Sequence, residues 1–501
     1  MKFNIDLKKI PKEVLHVTHT LEKNGFESYL VGGCVRDLVL GLEPKDWDIT
    51  TNAVPEEIVK LFDKTVYENT FGTVAVCVPY ETTKDAVSQG TEYMIIEVTP
   101  YRTEAEYSDF RHPDDVRFSQ NLSDDLKRRD FTINALAMDS KGQVMDMFDG
   151  LKDIEKKILR TVGEAEERFQ EDALRMLRAV RFSVQLNFSI SHETTESILK
   201  NVDLIKKISA ERIRDEFVKI IMSDSPAVGI TMLQKFGILK NIIPELEEGI
   251  GCEQLGEHIY DIWNHLLHAM EHSAIKKWPL EIRLASLFHD IGKPRTRRFD
   301  QSKAGGKGKY TFYGHEVVGA RMTKNILERL KFSKKEIELV EKLIRNHMFF
   351  SDTETITLSA VRRIITKVSK ENIWGLMQVR ECDRVGMKKK EAPYRLRKYF
   401  AMIEEALHDP ISVSQLKIDG NFMMKNLGIS AGPRMGWILN ALLEEVLEDP
   451  SKNTIEILSE IVLKLNNLSD KELQKLGKKG KDKKEELEEL EVKQLHQKHG
   501  V

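Results

Sequence analysis

Residues 30–53 read LVGGCVRDLVLGLEPKDWDITTNA, and the order of their features decides the fold. An apolar run ends in two glycines, a short helical pattern follows, and a second apolar run opens behind two aspartates one residue apart. Glycines at 32 and 33 let the backbone turn sharply and bring its amides close to a ligand, and a helix starting there offers further N–H groups to an anion. Arg36, one turn in, adds a charge suited to phosphate, while Asp37 is placed to pair with Arg36 or to cap locally. The spacing is neither GxGxxG nor GxxxxGK(S/T), so the dinucleotide-binding and P-loop readings fail.

Asp46 and Asp48 add a second feature. Alternation along a strand throws both carboxylates of DWDIT to one face, where they can hold one or two magnesium ions. Two such ions can activate an attacking hydroxyl and neutralise a leaving pyrophosphate. A lone DxD is commonly just two solvated charges on an edge strand. Behind a Gly-Gly turn at this distance, it is similar to nucleotidyl transfer of the DNA polymerase beta kind. A third carboxylate is wanted on a neighbouring strand, and Glu97 in MIIEVTPYR is the candidate. An acid in so apolar a run needs a partner, and the competing reading pairs it with an arginine such as Arg102.

The rest of the chain sets this unit in context. With 501 residues, roughly three or four domains are expected. Hydrophobic residues at 41%, charged residues at 31% and a net charge of -3 exclude the globally basic pattern of many nucleic-acid binders, so any polyanion site is local. Cys34, Cys77, Cys252 and Cys382 are scattered without a CxxC pair, which fits a reducing cytoplasm rather than a disulfide framework or a thiolate zinc site. The N-terminus lacks a long apolar core, and no later run approaches the roughly 20 apolar residues that span a bilayer, so neither secretion nor a membrane is expected.

Up to about residue 150, β-rich runs such as FGTVAVCVPY and YMIIEVTPY argue an α/β domain. The back two thirds read as a helical array, with Ala173, Leu177, Val180 and Val184 at amphipathic spacing. Residues 298–314, RFDQSKAGGKGKYTFYG, read as a loop between two histidine-bearing stretches. Beyond Ser469 charge dominates, and solvated helix or disorder is expected.

With RRDFTINALA at 128–137 and EDALRMLRAVRF at 171–182, the sequence resembles the class II tRNA nucleotidyltransferases, the CCA-adding enzymes, and their bacterial poly(A) polymerase relatives. The match is in order from about residue 20 to 245 and looser to about 460. The resemblance implies an α/β nucleotidyltransferase head with a DNA polymerase beta-like mixed sheet, followed by an all-α neck, body and tail. The corresponding divisions are a head at 1–150, a neck at 151–250 with a base-selecting helix and an RNA-binding face, an HD-type helical domain at 251–390, a helical tail domain at 391–469 and a charged tail at 470–501. It also implies that Gly32, Gly33 and Arg36 bind the triphosphate, that Asp46 and Asp48 hold the catalytic metals, with Mg2+ expected, and that Arg129, Asp130 and Asn134 contact the incoming nucleotide.

Asp172 and Arg175 allow that resemblance to be checked against chemistry. On a helix, residues three apart share a face, so the pair presents an acceptor beside donors. Cytosine and adenine each offer an amino donor next to a ring-nitrogen acceptor and so match it. Uracil and guanine offer the reverse order, which leaves buried polar groups unpaired at about 1–3 kcal/mol each. CTP and ATP are thereby admitted without a template. An arbitrary Asp/Arg pair at this spacing is more often a surface salt bridge. Glu171, Arg178 and Arg181 either orient the pair or face RNA, and ERIRDEF at 211–217 resembles a further family motif expected to be structural.

Residues 102–118, RTEAEYSDFRHPDDVRF, resemble the flexible loop with which full CCA-adding enzymes switch from C to A, through Tyr107, Asp109 and Arg111. Full CCA addition to the tRNA 3′ end is therefore favoured, with poly(A) synthesis and A-only or CC-only addition as alternatives. His265, the HD pair His289–Asp290, and Asp383 have the order of an HD metal-dependent phosphohydrolase, holding a divalent metal of unspecified identity. His315 and His347 could complete a second metal position. A rival of another class makes the chain mainly an HD phosphohydrolase with a nucleotide-sensing head. A non-catalytic RNA-binding protein is disfavoured because the metal- and base-selecting residue types are complete.

Overall fold

A computed structural model describes residues 3–68, 72–80, 92–104, 116–254, 259–300, 309–348, 356–386, 393–408 and 412–479. The contacts divide the chain into two compact units, Met1–Ile242 and Ile243–Val501.

Among the described residues the first unit has eleven strands: β1 (Ser28–Val31), β2 (Asp48–Thr51), β3 (Thr65–Glu68), β4 (Thr73–Tyr80), β5 (Glu92–Pro100), β6 (Arg102–Glu104), β7 (Val116–Phe118), β8 (Leu136–Met138), β9 (Val144–Asp146), and the short parallel pair β10 (Ile158–Leu159) and β11 (Ser189–Ile190). Seven form one mixed sheet in the order β3-β4-β5-β2-β1-β8-β9, and β6 and β7 pair separately. Only β2 and β5 of the large sheet run parallel, with Asp48 level with Glu97. The residues between these aligned acids and the sheet's core face alternate as a half-buried strand requires: Ile49, Ile96 and Val98 are fully buried. A cluster of Val31, Leu122, Leu126, Ala135, Ala137 and Val162 gathers round the buried ring of Tyr101, whose hydroxyl donates to Glu27 at 2.9 Å.

The neck continues the same unit. The helix Ala165–Glu171 ends at Asp172, and a new helix, Leu174–Leu186, packs on Ala210–Ile221. Asp172 (φ -143°, ψ 101°) is extended, so Asp172 and Arg175 do not share one helix as their spacing suggested. The carboxylate sits at a break, free of the helical face.

The second unit is helical. Ile262–Ile275, Leu280–Phe288, His315–Arg329, Lys334–Asn346 and Ile373–Asp383 surround a histidine cluster. Gly292 is required at one crossing, because a Cβ there would stand 2.3 Å from the His315 carbonyl oxygen. The stretch 298–314 is more than a loop: Arg298–Asp300 and Lys309–Thr311 pair antiparallel. The charged tail begins as a packed helix, Asp470–Lys479, with Leu473 fully buried and Asp470 paired to Arg434. No helix among the described residues is long and apolar enough to cross a membrane.

Candidate active site

The Gly-Gly turn lies at the end of β1, and Gly32 caps the helix Gly33–Leu40 with φ +82°. A side chain there is strained, and its Cβ would meet Arg129 Nη1 at 2.8 Å. The turn is beside the acids, since the Cys34 thiol approaches the Asp48 carbonyl oxygen at 3.8 Å. Burial raises the Cys34 thiol to about 12, so it stays protonated beneath the turn.

Asp48 and Glu97 are brought level on adjacent inner strands of the sheet, with Asp46 just ahead of β2 in the chain. Asp46 lies in the bend before β2 rather than on the strand, and Asp46 and Glu97 are exposed while Asp48 is partly covered. Desolvation raises the Asp48 carboxyl above its usual range, with Asp46 adding repulsion and Arg129 opposing it. Charge crowding of this kind among hard oxygen donors is what a divalent cation relieves.

From Arg36 a continuous polar chain runs into the neck. Arg36 pairs with Asp37 at 2.7 Å and donates through Nη1 to Asn134 at 2.7 Å. Asn134 donates to Asp130 at 3.0 Å, and Arg178 grips the other Asp130 oxygen at 2.6 Å. Arg181 pairs with Glu216 at 3.0 Å. Burial alone would raise the Asp130 carboxyl, but the Arg178 charge and the Asn134 hydrogen bond bring it down to about 2. Arg36, Arg178 and Arg181 all stand within 5.3 Å of the Phe182 ring centroid, which sets three like charges round one quadrupole. Arg129 is held by Asp125 at 3.1 Å, and Arg128 by the same acid at 2.7 Å.

The Asp172 and Arg175 side chains each take a different partner. Arg212 donates to both Asp172 oxygens at 3.1 and 2.7 Å, and Arg175 pairs with Glu171 at 2.5 Å while reaching the Arg128 and Arg168 carbonyls. Sequence reasoning missed Arg212, Glu216 and Asp125. The signal for the first two was present in ERIRDEF, where Arg212 and Glu216 are four apart on one helical face. Tyr107, Asp109 and Arg111 lie outside the described residues.

In the second unit the six expected ligands converge. His265, His289, Asp290 and Asp383 place ligand atoms within 4.8 Å of one another, and so do Asp290, His315 and His347, so Asp290 belongs to both groups. Among the described residues these are the only gatherings so tight; the head carboxylates are aligned but more open. Backbone carbonyls set the tautomers: Nδ1–H of His289, His315 and His347 donates to Ser286, Phe312 and Ile344 at 2.9, 2.7 and 2.6 Å. At His315 and His347 the neutral ring then aims an Nε2 lone pair inward, whereas His289 Nε2 lies 3.3 Å from both Asp290 and Asp383. His315 Nε2 faces Asp290 Oδ1 at 3.2 Å, and neither atom has a hydrogen-bond partner although both are buried. Lone pair against lone pair is repulsive without a cation between them, so these donors fit a divalent metal. Burial lowers the His289 pKa, but Asp290 and Asp383 outweigh it and raise it to about 10. Lys293, which sequence reasoning also missed, adds a buried ammonium 2.6 Å from Asp290.

Fold and sequence together put the first unit in the class of nucleotidyltransferase heads: residues 28–160 match the family described as the Poly A polymerase head domain. Residues 187–250 match the probable RNA and SrmB-binding site of polymerase A, and 255–391 the HD domain. The CCA-adding enzyme of Lactobacillus johnsonii is 34% identical over 92% of this chain and 99% of its own length. The chain belongs to the CCA-adding enzymes, a family of RNA nucleotidyltransferases. The CCA-adding enzyme of Lactobacillus delbrueckii subsp. bulgaricus is 49% identical over 44% of this chain, a match that spans 52%, about half, of that protein. A solved structure of the Bacillus stearothermophilus CCA-adding enzyme in complex with CTP superposes with a TM-score of 0.64 at 27% identity, covering 91% of this chain and 97% of the other.

Proposed function

We propose that this protein adds C, C and A from CTP and ATP to the 3′ end of tRNA lacking them, without a nucleic-acid template and with release of pyrophosphate. The observation that carries the proposal is the juxtaposition, on the inner strands of the sheet, of the Gly32–Gly33 turn with the Asp48–Glu97 register, joined through Arg36, Asn134 and Asp130 to the neck. Gly32, Gly33, Arg36 and Arg129 receive the triphosphate, and Asp130 and Asn134 reach the sugar. Asp46, Asp48 and Glu97 are the residues to hold Mg2+, which when bound lowers the pKa of the attacking hydroxyl and neutralises the leaving group.

Base choice rests on Asp172 and Arg175 in a revised form. Arg212 fixes the Asp172 carboxylate through both oxygens, and Glu171 with two carbonyls fixes the Arg175 donors. The two readers are oriented separately, not by each other. Arg178 and Arg181 serve this reading as supports through Asp130 and Glu216. Tyr107, Asp109 and Arg111 are assigned the switch from C to A. Four unpaired cysteines are in keeping with a cytoplasmic setting.

The test is incorporation of labelled nucleotides into tRNA lacking CCA. Addition of C, C and A that then stops is the expected result; an A tail that keeps growing selects poly(A) polymerase, and A-only or CC-only products select the partial enzymes. A second, separate activity is favoured by the inward lone pairs of His315 and His347: a metal-dependent phosphohydrolase at the His265, His289, Asp290, Asp383 cluster. Opening of a 2′,3′-cyclic phosphate to a phosphomonoester, or release of phosphate from a terminal phosphomonoester, lost in Asp290→Ala, is its check.

A further inference from the structure

The sheet order separates two sides of the carboxylate row. On the β1 and β8 side lie the Gly32–Gly33 turn, Arg36 and Asn134. On the other side, β4 and β5 run on past the first residue of β2, since Asp48 is level with Glu97 but the β4–β5 pairing continues to Tyr80 and Glu92. One face of this ribbon buries Val76, Val78 and Ile96. The opposite face is open: Ile95 is 62% and Val66 55% exposed, with the small side chains of Ala75 and Cys77 between them. Tyr93 is also exposed, and Lys64 Nζ stands 3.5 Å from its ring centroid. Alternation puts Tyr93, Ile95 and Glu97 on the same side of β5, so an apolar floor with a cation at its far end runs up to the acids.

A contiguous apolar patch beside a reaction centre marks a contact surface. In phosphoryl transfer the attacking and leaving oxygens stand roughly in line, on opposite sides of the phosphorus. With pyrophosphate on the Gly32–Gly33 side, the attacking hydroxyl arrives from the β5 and β4 side. We infer that the open face of β3, β4 and β5 seats the last unpaired nucleotides of the RNA substrate, with bases on Ile95 and Tyr93 and a backbone phosphate at Lys64. The inference rests on the nucleotidyltransferase reading of the head. Residues two apart on a strand are about 7 Å apart, so Ile95 and Tyr93 stand about 7 and about 14 Å from Glu97, one and two nucleotides behind the reacting end. Stacking on side chains tolerates any base, which suits an end whose last base changes with each addition.

Cys77 lies on this floor and is partly exposed, whereas Cys34, Cys252 and Cys382 are buried, so its alkylation in the full chain reports cover. The expected result is that tRNA lacking CCA slows Cys77 alkylation about ten-fold, while CTP or ATP without RNA does not. Alkylation unchanged by RNA overturns the inference, and so does alkylation already suppressed in the free protein, which would mean that a segment of this chain or a second copy covers the floor. A Tyr93→Ala, Ile95→Ala variant is expected to raise the KM for tRNA about ten-fold with the KM for CTP and the circular dichroism spectrum unchanged, and Ile95→Leu to keep the tRNA KM. A change confined to the KM for CTP overturns it. Wild-type protein that incorporates no nucleotide sinks the nucleotidyltransferase reading; normal incorporation with Cys77 unprotected sinks only the floor.

Discussion

The two acid sites of this chain differ in the way they are built. In the head, Asp48 and Glu97 are aligned by strand register on inner strands of the sheet with Asp46 beside them, open to solvent on one side and supplying oxygen donors only. In the second unit, histidines and aspartates from several helices close on a buried centre, with tautomers set by backbone carbonyls. The contrast teaches which task each site suits. A site that must admit a triphosphate and a macromolecular 3′ end stays open and takes a weakly held, oxygen-loving ion. A closed site with imidazole donors holds a transition metal tightly and admits only a small reacting group.

The sharpest way to break that comparison is Asp48→Asn. Nucleotide incorporation is expected to fall by on the order of 10³-fold with the fold retained, because Asp48 is the acid that lies beside both Asp46 and Glu97 at the proposed ion site. Metal content of the second unit, measured by mass spectrometry, should be unchanged. The mirror experiment is Asp290→Ala, which removes the one ligand shared by both clusters. Tightly bound metal should disappear while incorporation stays within about two-fold of wild type, and chelator-sensitive thermal stabilisation, about 4 kcal/mol at a metal concentration 1,000 times Kd, should vanish with it. His347→Ala should remove only the second metal.

Smaller effects sharpen the neck. Arg212→Gln leaves the Asp172 carboxylate without its bidentate partner, and misincorporation of UTP or GTP is expected to rise about 10- to 100-fold, the equivalent of one or two poorly discriminated hydrogen bonds. Unaltered fidelity would reduce Arg212 to a packing residue. The smallest expected effect concerns acid stability. Asp130 is held at about 2 in the folded protein against 3.8 as the ordinary value, so its contribution is fully present above about pH 4 and is lost as pH falls through about 2. The loss amounts to about 2 kcal/mol, and Asp130→Asn should flatten denaturant-measured stability across that window.

Much of this was legible along the chain. The Gly-Gly turn, the DxD acids and the order of the HD ligands are short-range patterns, and the mixed sheet and helical half follow from alternation and 3.6-residue periodicity. The break at Asp172 was not legible, because periodicity ran through it without a proline or glycine to mark the boundary. The strand pair flanking the lysine-rich loop was hidden by its glycines, and the packed helix after Ser469 by its charge, since one buried side chain, Leu473, docks it.

The sequence by itself determined the kinds of residue this protein brings to its sites: a Gly-Gly turn, paired acids, and histidines and aspartates in the order of an HD cluster. Only the tertiary structure decided which group each charge meets. Asp172 turns to Arg212 and Asp130 to Arg178, partners 40 and 48 residues away, and Asp290 lies between two sets of histidines. The reason is physical. Residue type and spacing govern local backbone geometry, whereas a buried charge takes whichever partner packing brings within hydrogen-bond reach, and packing depends on the whole fold.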